Sequence, residues 1–167
     1  SCINVKTFFL LFDIYYLIMA IQKLISHRGN IIGPDVSLEN NPSYILEALS
    51  LGFDCEIDVW QINNELLLGH DEPTYKTSID FLSEHKNSLW IHCKNFESLE
   101  YLNKNNELNY FWHQKDKFTI TSKGYIWTYP GNVVGNKSVI VDNEKKASDY
   151  QCFGVCSDYI ETYKSKL

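Results

Sequence analysis

The chain has 167 residues, a formal net charge of −6, and a composition that is 44% hydrophobic. This length favours a single domain, and the apolar content is sufficient for a buried core. The acidic balance argues against a nucleic-acid partner, because nucleic-acid-binding proteins usually carry a basic patch. A phosphate-containing substrate would therefore need local positive charge, from a metal ion or from a few lysine and arginine side chains.

The cysteines do not form a recognisable pattern. There are five of them, irregularly spaced and without a CxxC pair. This spacing argues against a zinc site or a disulfide scaffold. Reduced thiols favour a cytoplasmic location.

The N-terminal segment is strongly apolar over residues 7–18, TFFLLFDIYYLI, but Asp13 interrupts it. A membrane-spanning helix needs roughly 20 apolar residues, so no stable membrane span is expected, although membrane association stays open. A signal-anchor remnant is one interpretation. Because Met19 opens the stretch MAIQKLISHRGN, we favour another, in which residues 1–18 are an appendage outside the fold and 19–167 is the domain.

The first predicted elements are a strand over 22–27 and a helix over 41–53. Asn41 can cap this helix, Pro42 suits its first turn, and Gly52 suits its end.

A strand over 54–62 follows, and Asn63-Asn64 indicates a hairpin to a second strand. Later elements alternate in the same way. Helices are predicted at 78–85, 96–105 and 159–164, with strands at 89–95, 109–114, 118–121, 125–129, 138–143 and 153–158.

Alternating strands and helices predict an α/β protein with parallel pairing. The number of strands suits a compact TIM-type (β/α) barrel. Such barrels typically have about 250 residues, and the domain from Met19 has roughly 150. Shortened or missing helices are therefore expected.

The stretch DCEIDVW places two carboxylates, Glu56 and Asp58, on one face of a strand, because side chains alternate with a period of two. Neighbouring buried carboxylates need positive charge between them, and Mg²⁺ or Ca²⁺ would supply it. A solvent-facing edge strand is the other interpretation of the same pattern.

Other predicted strands also end in polar residues. His27 and Arg28 close the first strand, and His70 closes another, with Asp71 either orienting that histidine or serving the turn. His92 and Lys94 share one face of a later strand. Histidine can exchange protons near neutral pH, and parallel barrels carry their active sites at the carboxyl ends of the strands.

These motifs resemble the glycerophosphodiester phosphodiesterase family, within the phosphatidylinositol-specific phospholipase C-like phosphodiesterase barrels. HRG at 27–29, EN at 39–40, ExD at 56–58 and HD at 70–71 occur in the family's order and near its spacing. FGVCSDY at 153–159 resembles the family's closing strand. The resemblance therefore spans the domain from its first strand to its last.

The resemblance implies a role for each matching residue. His27 and His70 would be the general acid/base pair, and Glu56 and Asp58 would be metal ligands. Arg28 would contact the phosphate, and Glu39 would lie at the mouth of the site, either touching substrate or supporting a residue that does. Lys94 matches the family's strand-three lysine and is a further substrate-binding candidate.

His92 departs from the family pattern, which has a glutamate as third metal ligand at this position. Imidazole binds Mg²⁺ and Ca²⁺ poorly compared with carboxylate. Three interpretations stand: a more weakly held ion, a transition ion such as Mn²⁺, or recruitment of another acid such as Asp142. We expect Mg²⁺ or Ca²⁺, with Mn²⁺ as the alternative, and include His92 among the metal ligands.

The segment 111–131 is rich in aromatic residues and has no clear family counterpart. It could form a substrate wall or pack in the core. Core packing is favoured for Trp112, and His113 could face the site. Trp127 is a substrate-binding candidate.

The leading hypothesis is metal-dependent hydrolysis of a glycerophosphodiester-like small molecule, releasing glycerol phosphate and an alcohol. A lyase that stops at a cyclic phosphate, as in phospholipase D-like relatives, is the first alternative. A non-catalytic barrel that binds a phosphorylated ligand is the second. A shortened barrel would also have a reason to form a homo-oligomer.

Overall fold

The structure, a computed structural model, describes residues 21–167. The predictions for residues 1–18 lie outside the described residues. Ten strands and three short α-helices follow residue 21 in the described part of the chain, and a 3₁₀ helix ends it. The strands are β1 Lys23–His27, β2 Asp54–Ile62, β3 Glu65–Leu68, β4 Tyr75–Thr77, β5 Leu89–Cys93, β6 Tyr110–Trp112, β7 Phe118–Ile120, β8 Ile126–Thr128, β9 Ser138–Val141 and β10 Gly154–Ser157; the helices are α1 Pro42–Ser50, α2 Ile79–Glu84, α3 Phe96–Leu102 and the 3₁₀ helix Ile160–Lys166.

The strands form one mixed sheet with a parallel centre. Parallel pairings join β6, β5, β2, β1, β10, β9 and β8 in that spatial order. β3 pairs antiparallel with the C-terminal half of β2, and β4 pairs antiparallel with β3. β7 pairs antiparallel with β8. The sheet is curled, so its two ends approach each other. The Ser122 backbone N–H, just after β7, donates to the Tyr110 carbonyl of β6 at 2.8 Å. The predicted α/β class with parallel pairing is confirmed.

Local signals in the sequence account for most element boundaries. The Asn41 side chain accepts from the Ser43 backbone N–H and caps α1, and Gly52 follows this helix at φ 86°. Asn63 and Asn64 both have positive φ, as the tight turn between β2 and β3 requires. β4 is absent from the predicted strands, because Tyr75-Lys76-Thr77 lacks the run or alternation of apolar residues that indicates the equally short β6, β7 and β8.

The outer face of the sheet carries two apolar clusters. One packs α1, α2 and α3 against β2, β3 and β5, and includes Ile45, Ile57 and Leu82. The other packs the 3₁₀ helix against β1, β9 and β10, through residues such as Ile160 and Tyr163. These short helices cover the sheet with few residues, as the length of the chain requires. The described cysteines, Cys55, Cys93, Cys152 and Cys156, are all free and buried.

The inner face of the curled sheet changes from apolar to polar along β1, β5, β6 and β10. Ile25, Trp90, Phe111, Trp127 and Cys156 belong to one buried cluster in the interior. Two residues further along β1, β5, β6 and β10 the inward-facing side chains are polar. They are His27, His92, His113 and Asp158. An aromatic floor thus lies beneath a polar site at the carboxyl ends of the strands.

Within residues 21–167, every helix is too short or too polar to cross a membrane.

The first prediction concerns Gly69, which directly precedes His70. Its φ is 150°, and an added Cβ would lie 1.9 Å from the backbone carbonyl oxygen of Glu72. We expect Gly69→Ala to lower the free energy of unfolding by about 1–3 kcal/mol, because the backbone must move to relieve this clash. Denaturant unfolding followed by circular dichroism measures the change.

Gly135→Ala is the matched control, because a Cβ at Gly135 would meet nothing within 4 Å. Its effect should stay within about 0.5 kcal/mol. Equal stability of the two variants would contradict the close approach at Gly69.

Candidate active site

Strand register brings the candidate residues together. His27 pairs with Glu56 across β1 and β2, and Asp58 pairs with His92 across β2 and β5. Because paired residues on neighbouring strands point to the same face, all four side chains enter one end of the curled sheet. Glu56 and Asp58 are 2% and 0% exposed, so the edge-strand interpretation of their spacing is wrong.

Asp58 has the most contacts with other polar side chains in this site. Its Oδ2 accepts from Asn40 Nδ2 at 2.9 Å, and the Asn40 side chain accepts from the Asp58 backbone N–H at 2.8 Å. Oδ1 lies 3.3 Å from Lys94 Nζ, and Oδ2 lies 3.2 Å from Arg28 Nε. Burial alone would raise the pKa of Asp58, but the hydrogen bond from His70 and the neighbouring His92 and Arg28 outweigh burial and hold the pKa well below its usual range.

Glu56 has a contrasting environment. Burial, and then repulsion from Asp58, hold the pKa of Glu56 well above its usual range. Its Oε2 is buried and has no hydrogen-bond partner among the described residues. Such an atom is costly to bury unless a proton or a metal ion satisfies it.

The charges of the site do not cancel in the described part of the chain. Four carboxyl groups meet two permanent cations there, which leaves a charge of −2 when Glu56 is ionised, as a metal ligand must be, and the histidines are neutral. The carboxylates belong to Glu39, Glu56, Asp58 and Asp158, and the cations are Arg28 and Lys94. A dication would bring this total to zero before an anionic substrate arrives.

His27 is held by a carboxylate that lies far away in sequence. Its Nδ1 lies 2.7 Å from Asp158 Oδ1, at the end of β10. Burial raises the pKa of Asp158, but the hydrogen bond from His27 outweighs it and leaves the pKa below its usual range. An ionised carboxylate only accepts, so Nδ1 carries the proton. The other nitrogen, Nε2, faces Glu56 Oε2 at 3.9 Å and is left with its lone pair.

His70, like His27, lies against a carboxylate through its Nδ1, but here the carboxylate is that of Asp58. Arg28 Nη2 lies 3.3 Å from its Nε2, and a guanidinium can only donate, so Nε2 accepts. Nδ1 lies 3.2 Å from Asp58 Oδ2, to which it can donate, and 3.2 Å from Lys94 Nζ, from which it can accept. Asp71 is 93% exposed on its side chain, so Asp58 orients this histidine more directly than Asp71 does.

The loop after β1 places Arg28 and Glu39 beside these histidines. Arg28 has φ 57°, and Gly29 follows at φ 97° against the ring of Tyr44. Arg28 Nη1 donates to Glu39 Oε2 at 3.0 Å, and Asn30 Nδ2 donates to Glu39 Oε1 at 2.9 Å. Glu39 thus holds Arg28 rather than standing alone at the mouth of the site.

Glu56, Asp58 and His92 form a candidate metal centre. One ligand atom from each lies within 4.8 Å of the others. His92 Nδ1 is 3.0 Å from Asp58 Oδ1 and 3.9 Å from Glu56 Oε1. These residues fit a divalent cation, because the buried Glu56 Oε2 has no partner and the carboxylates outnumber the cations around them.

The site opens into a cavity of about 450 Å³. His27, Arg28, Glu56, His70, His92 and Lys94 line its polar side, and Trp112, His113, Trp127, Tyr129 and Pro130 line its aromatic side. Trp127 is 4% exposed and stacks on Phe111 with ring centroids 4.6 Å apart, so it forms part of the floor. The exposed Tyr129 stacks on His113 at 5.3 Å and forms the outer wall.

Asp158, Asn40 and Asn30 were not singled out in the sequence, although each holds a site residue. Asn40 lies in the EN motif and has φ 63°, and Asp158 lies in the stretch FGVCSDY and follows β10. The motifs therefore include both residues, but the sequence does not indicate which side chain each one contacts. Asp142, the other acid considered for the metal, accepts from the Tyr163 hydroxyl and from the Glu144 backbone N–H. Those contacts turn it toward the 3₁₀ helix.

Comparisons with protein-family models, with curated proteins and with solved structures find no match to this chain.

The second prediction concerns Glu56 in the metal-free protein. Because its folded-state pKa is raised, the folded protein holds this proton more tightly than the unfolded chain. The contribution to stability is complete below the unfolded pKa, about 4.3, and is lost as pH rises toward the folded-state pKa. Glu56→Gln removes this loss, so we expect the variant to gain on the order of 1–3 kcal/mol over wild type at neutral pH.

Denaturant unfolding in EDTA between acidic and neutral pH measures this difference. The exposed Glu100 of α3 provides the control, and Glu100→Gln should leave the pH dependence unchanged. A Glu56→Gln variant whose stability follows wild type at every pH would show that the carboxylate is not held in this environment.

Proposed function

We propose that this chain is a metal-dependent phosphodiesterase of the glycerophosphodiester type, built on a compact barrel. One observation carries the proposal: two histidines, each held by its own aspartate, flank a buried carboxylate pair within one cavity. The motif resemblance of the sequence supports the same chemistry and the same substrate class.

The phosphate would bind at the positive side of the cavity. Arg28 and Lys94 both line it, and their side chains are 18% and 14% exposed. Arginine can hold two non-bridging phosphate oxygens at once, and lysine adds a point charge. Glu39 accepts a hydrogen bond from Arg28 Nη1, so the guanidinium group is oriented before substrate binds.

The two histidines supply proton transfer. His27 holds a proton on Nδ1 against Asp158, which leaves its Nε2 to exchange a proton with the substrate. The imidazole of His70 is held by Asp58 at Nδ1 and by Arg28 at Nε2, and its Nε2 would exchange the second proton. One Nε2 takes the proton from a substrate hydroxyl next to the phosphodiester, and the protonated Nε2 of the other gives its proton to the leaving alkoxide. The bond formed joins the hydroxyl oxygen to phosphorus, and the bond broken is that to the alcohol. In the second step water opens the cyclic phosphate and the two roles reverse.

Glu56, Asp58 and His92 would hold the divalent cation. When bound, such an ion neutralises charge on the phosphate oxygens. Arg28 and Lys94 both contact Asp58, so a cation held by these residues would add its charge to theirs on the same side of the cavity.

The leaving alcohol would lie along the aromatic side of the cavity. Tyr129 is 52% exposed and presents a flat face above His113, and Trp112 lines the same side. Such a wall suits the apolar face of a polyol or a ring. A glycerophosphodiester from a lipid and a glycerol-phosphate group on a polysaccharide both fit this description.

Release of glycerol phosphate from a panel of glycerophosphodiesters tests the proposal. The assay uses the chain with Mg²⁺, Ca²⁺, Mn²⁺ or EDTA. Metal-dependent release supports the proposal, and its absence from a folded, metal-binding protein overturns it. Phosphorus NMR of the products separates hydrolysis from the lyase outcome, since a persistent cyclic phosphate is the signature of a lyase.

The third prediction is that His27→Ala and His70→Ala each lower turnover by about 10²–10⁴-fold, because each removes one proton-transfer group. Circular dichroism should show that both variants remain folded. His85 lies at the end of α2, outside the cavity, and His85→Ala serves as the control. Turnover near the wild-type level in either site variant would refute the assignment.

The fourth prediction concerns Asp158, which acts through His27. Asp158→Asn allows an amide N–H to face Nδ1, which favours the opposite tautomer and places a proton on Nε2. We expect kcat to fall by at least about tenfold while KM changes little, with a displaced pH profile. Steady-state kinetics across pH provide the measurement. A loss confined to KM would instead place Asp158 in substrate binding.

A further inference from the structure

We propose that the centre formed by Glu56, Asp58 and His92 selects a first-row transition dication, such as Mn²⁺ or Co²⁺, over Mg²⁺ and Ca²⁺. The catalytic use of that ion rests on the proposed function, but its binding does not. Three features of the structure support this selectivity: which nitrogen of His92 is free, how rigidly its ring is held, and where the other acids point.

The free nitrogen of His92 follows from its hydrogen bond. Nε2 lies 2.8 Å from the backbone carbonyl oxygen of His113. A carbonyl oxygen only accepts, so Nε2 carries a proton and Nδ1 presents its lone pair. Nδ1 faces Asp58 Oδ1 at 3.0 Å, so two acceptor atoms meet at hydrogen-bond distance. A shared cation resolves this contact, and the arrangement is that of a metal-ligating histidine whose other nitrogen is held by a carbonyl.

The imidazole is rigidly oriented. His92 stacks on Phe111 with ring centroids 5.3 Å apart and an angle of 3° between the planes. Register places His92 beside Asp58 on one side and Phe111 on the other, so the ring lies between a metal ligand and the aromatic floor. With its side chain 14% exposed, His92 would have to disrupt both contacts to turn away.

A third carboxylate is not oriented toward this centre in the described part of the chain. Asp158 is engaged by His27 and Asn30, Asp142 by Tyr163, and Glu39 by Arg28. The protein ligands therefore comprise two carboxylates and one imidazole.

That ligand set determines the class of ion. Mg²⁺ and Ca²⁺ take oxygen ligands almost exclusively, so the imidazole contributes little to their binding. Mn²⁺ and Co²⁺ accept both carboxylate oxygen and imidazole nitrogen, and Co²⁺ binds nitrogen ligands more strongly than Mn²⁺. Replacing the nitrogen by an oxygen should therefore weaken transition ions relative to Mg²⁺ and Ca²⁺.

Isothermal titration calorimetry of the metal-free chain with each ion alone tests the proposal. We expect wild type to bind Mn²⁺ and Co²⁺ at least about tenfold more tightly than Mg²⁺ or Ca²⁺. The visible absorption bands of bound Co²⁺ give an independent readout of nitrogen ligation. Equal affinity for all four ions, or binding of none, would overturn the proposal.

Two variants of His92 sharpen the test. His92→Glu supplies a third carboxylate and should reduce the preference for Mn²⁺ over Mg²⁺ by about tenfold or more. His92→Gln can still donate to the His113 carbonyl but lacks the imidazole nitrogen, so it should lose Co²⁺ affinity and shift the Co²⁺ bands. Circular dichroism confirms that each variant is folded, and His85→Ala should behave as wild type. An unchanged ion preference in both folded variants would show that His92 is not a ligand.

This experiment is independent of the activity assay. A chain that binds Mn²⁺ with the expected preference but hydrolyses no phosphodiester contradicts the proposed function alone. A chain that hydrolyses substrate equally well with Mg²⁺ and binds both ions equally contradicts the metal preference alone.

Discussion

The buried carboxylate of Asp58 is the constraint on which the rest of the site depends. It is 0% exposed, so its charge must be matched by neighbours rather than by water. Contacts reach it from three segments of the chain, the loop after β1, the turn after β3 and the end of β5, and each segment positions a residue that the proposed chemistry uses. The partners are Arg28, Asn40, His70, His92 and Lys94. Removing this one carboxylate would leave several buried donors without an acceptor.

The interior of the sheet explains why the polar site lies at one end. Trp90, Phe111 and Trp127 fill the lower part of the curled sheet and exclude water from it. The next inward-facing positions are polar, and they lie at the carboxyl ends of the strands. A short chain can therefore support a buried, charged site, because the aromatic floor closes the interior directly beneath it.

Much of the fold was predictable because its signals are local. The period of two in β2 correctly placed Glu56 and Asp58 on one face and Ile57 on the other. Asn41 and the Asn63-Asn64 turn marked boundaries through backbone chemistry that neighbouring residues determine. By contrast, the sequence does not indicate β4, because Tyr75, Lys76 and Thr77 form no apolar pattern and their strand is evident only from its pairing with β3.

The sequence by itself determined the strand and helix pattern, the polar strand ends and the residue types available for the site. Only the tertiary structure decided which carboxylate serves which histidine, because hydrogen-bond partners 131 residues apart, such as His27 and Asp158, leave no local pattern. It also decided that Asp58, rather than the adjacent Asp71, is the closer carboxylate to His70. Strand register, which depends on packing across the whole sheet, brings these side chains together.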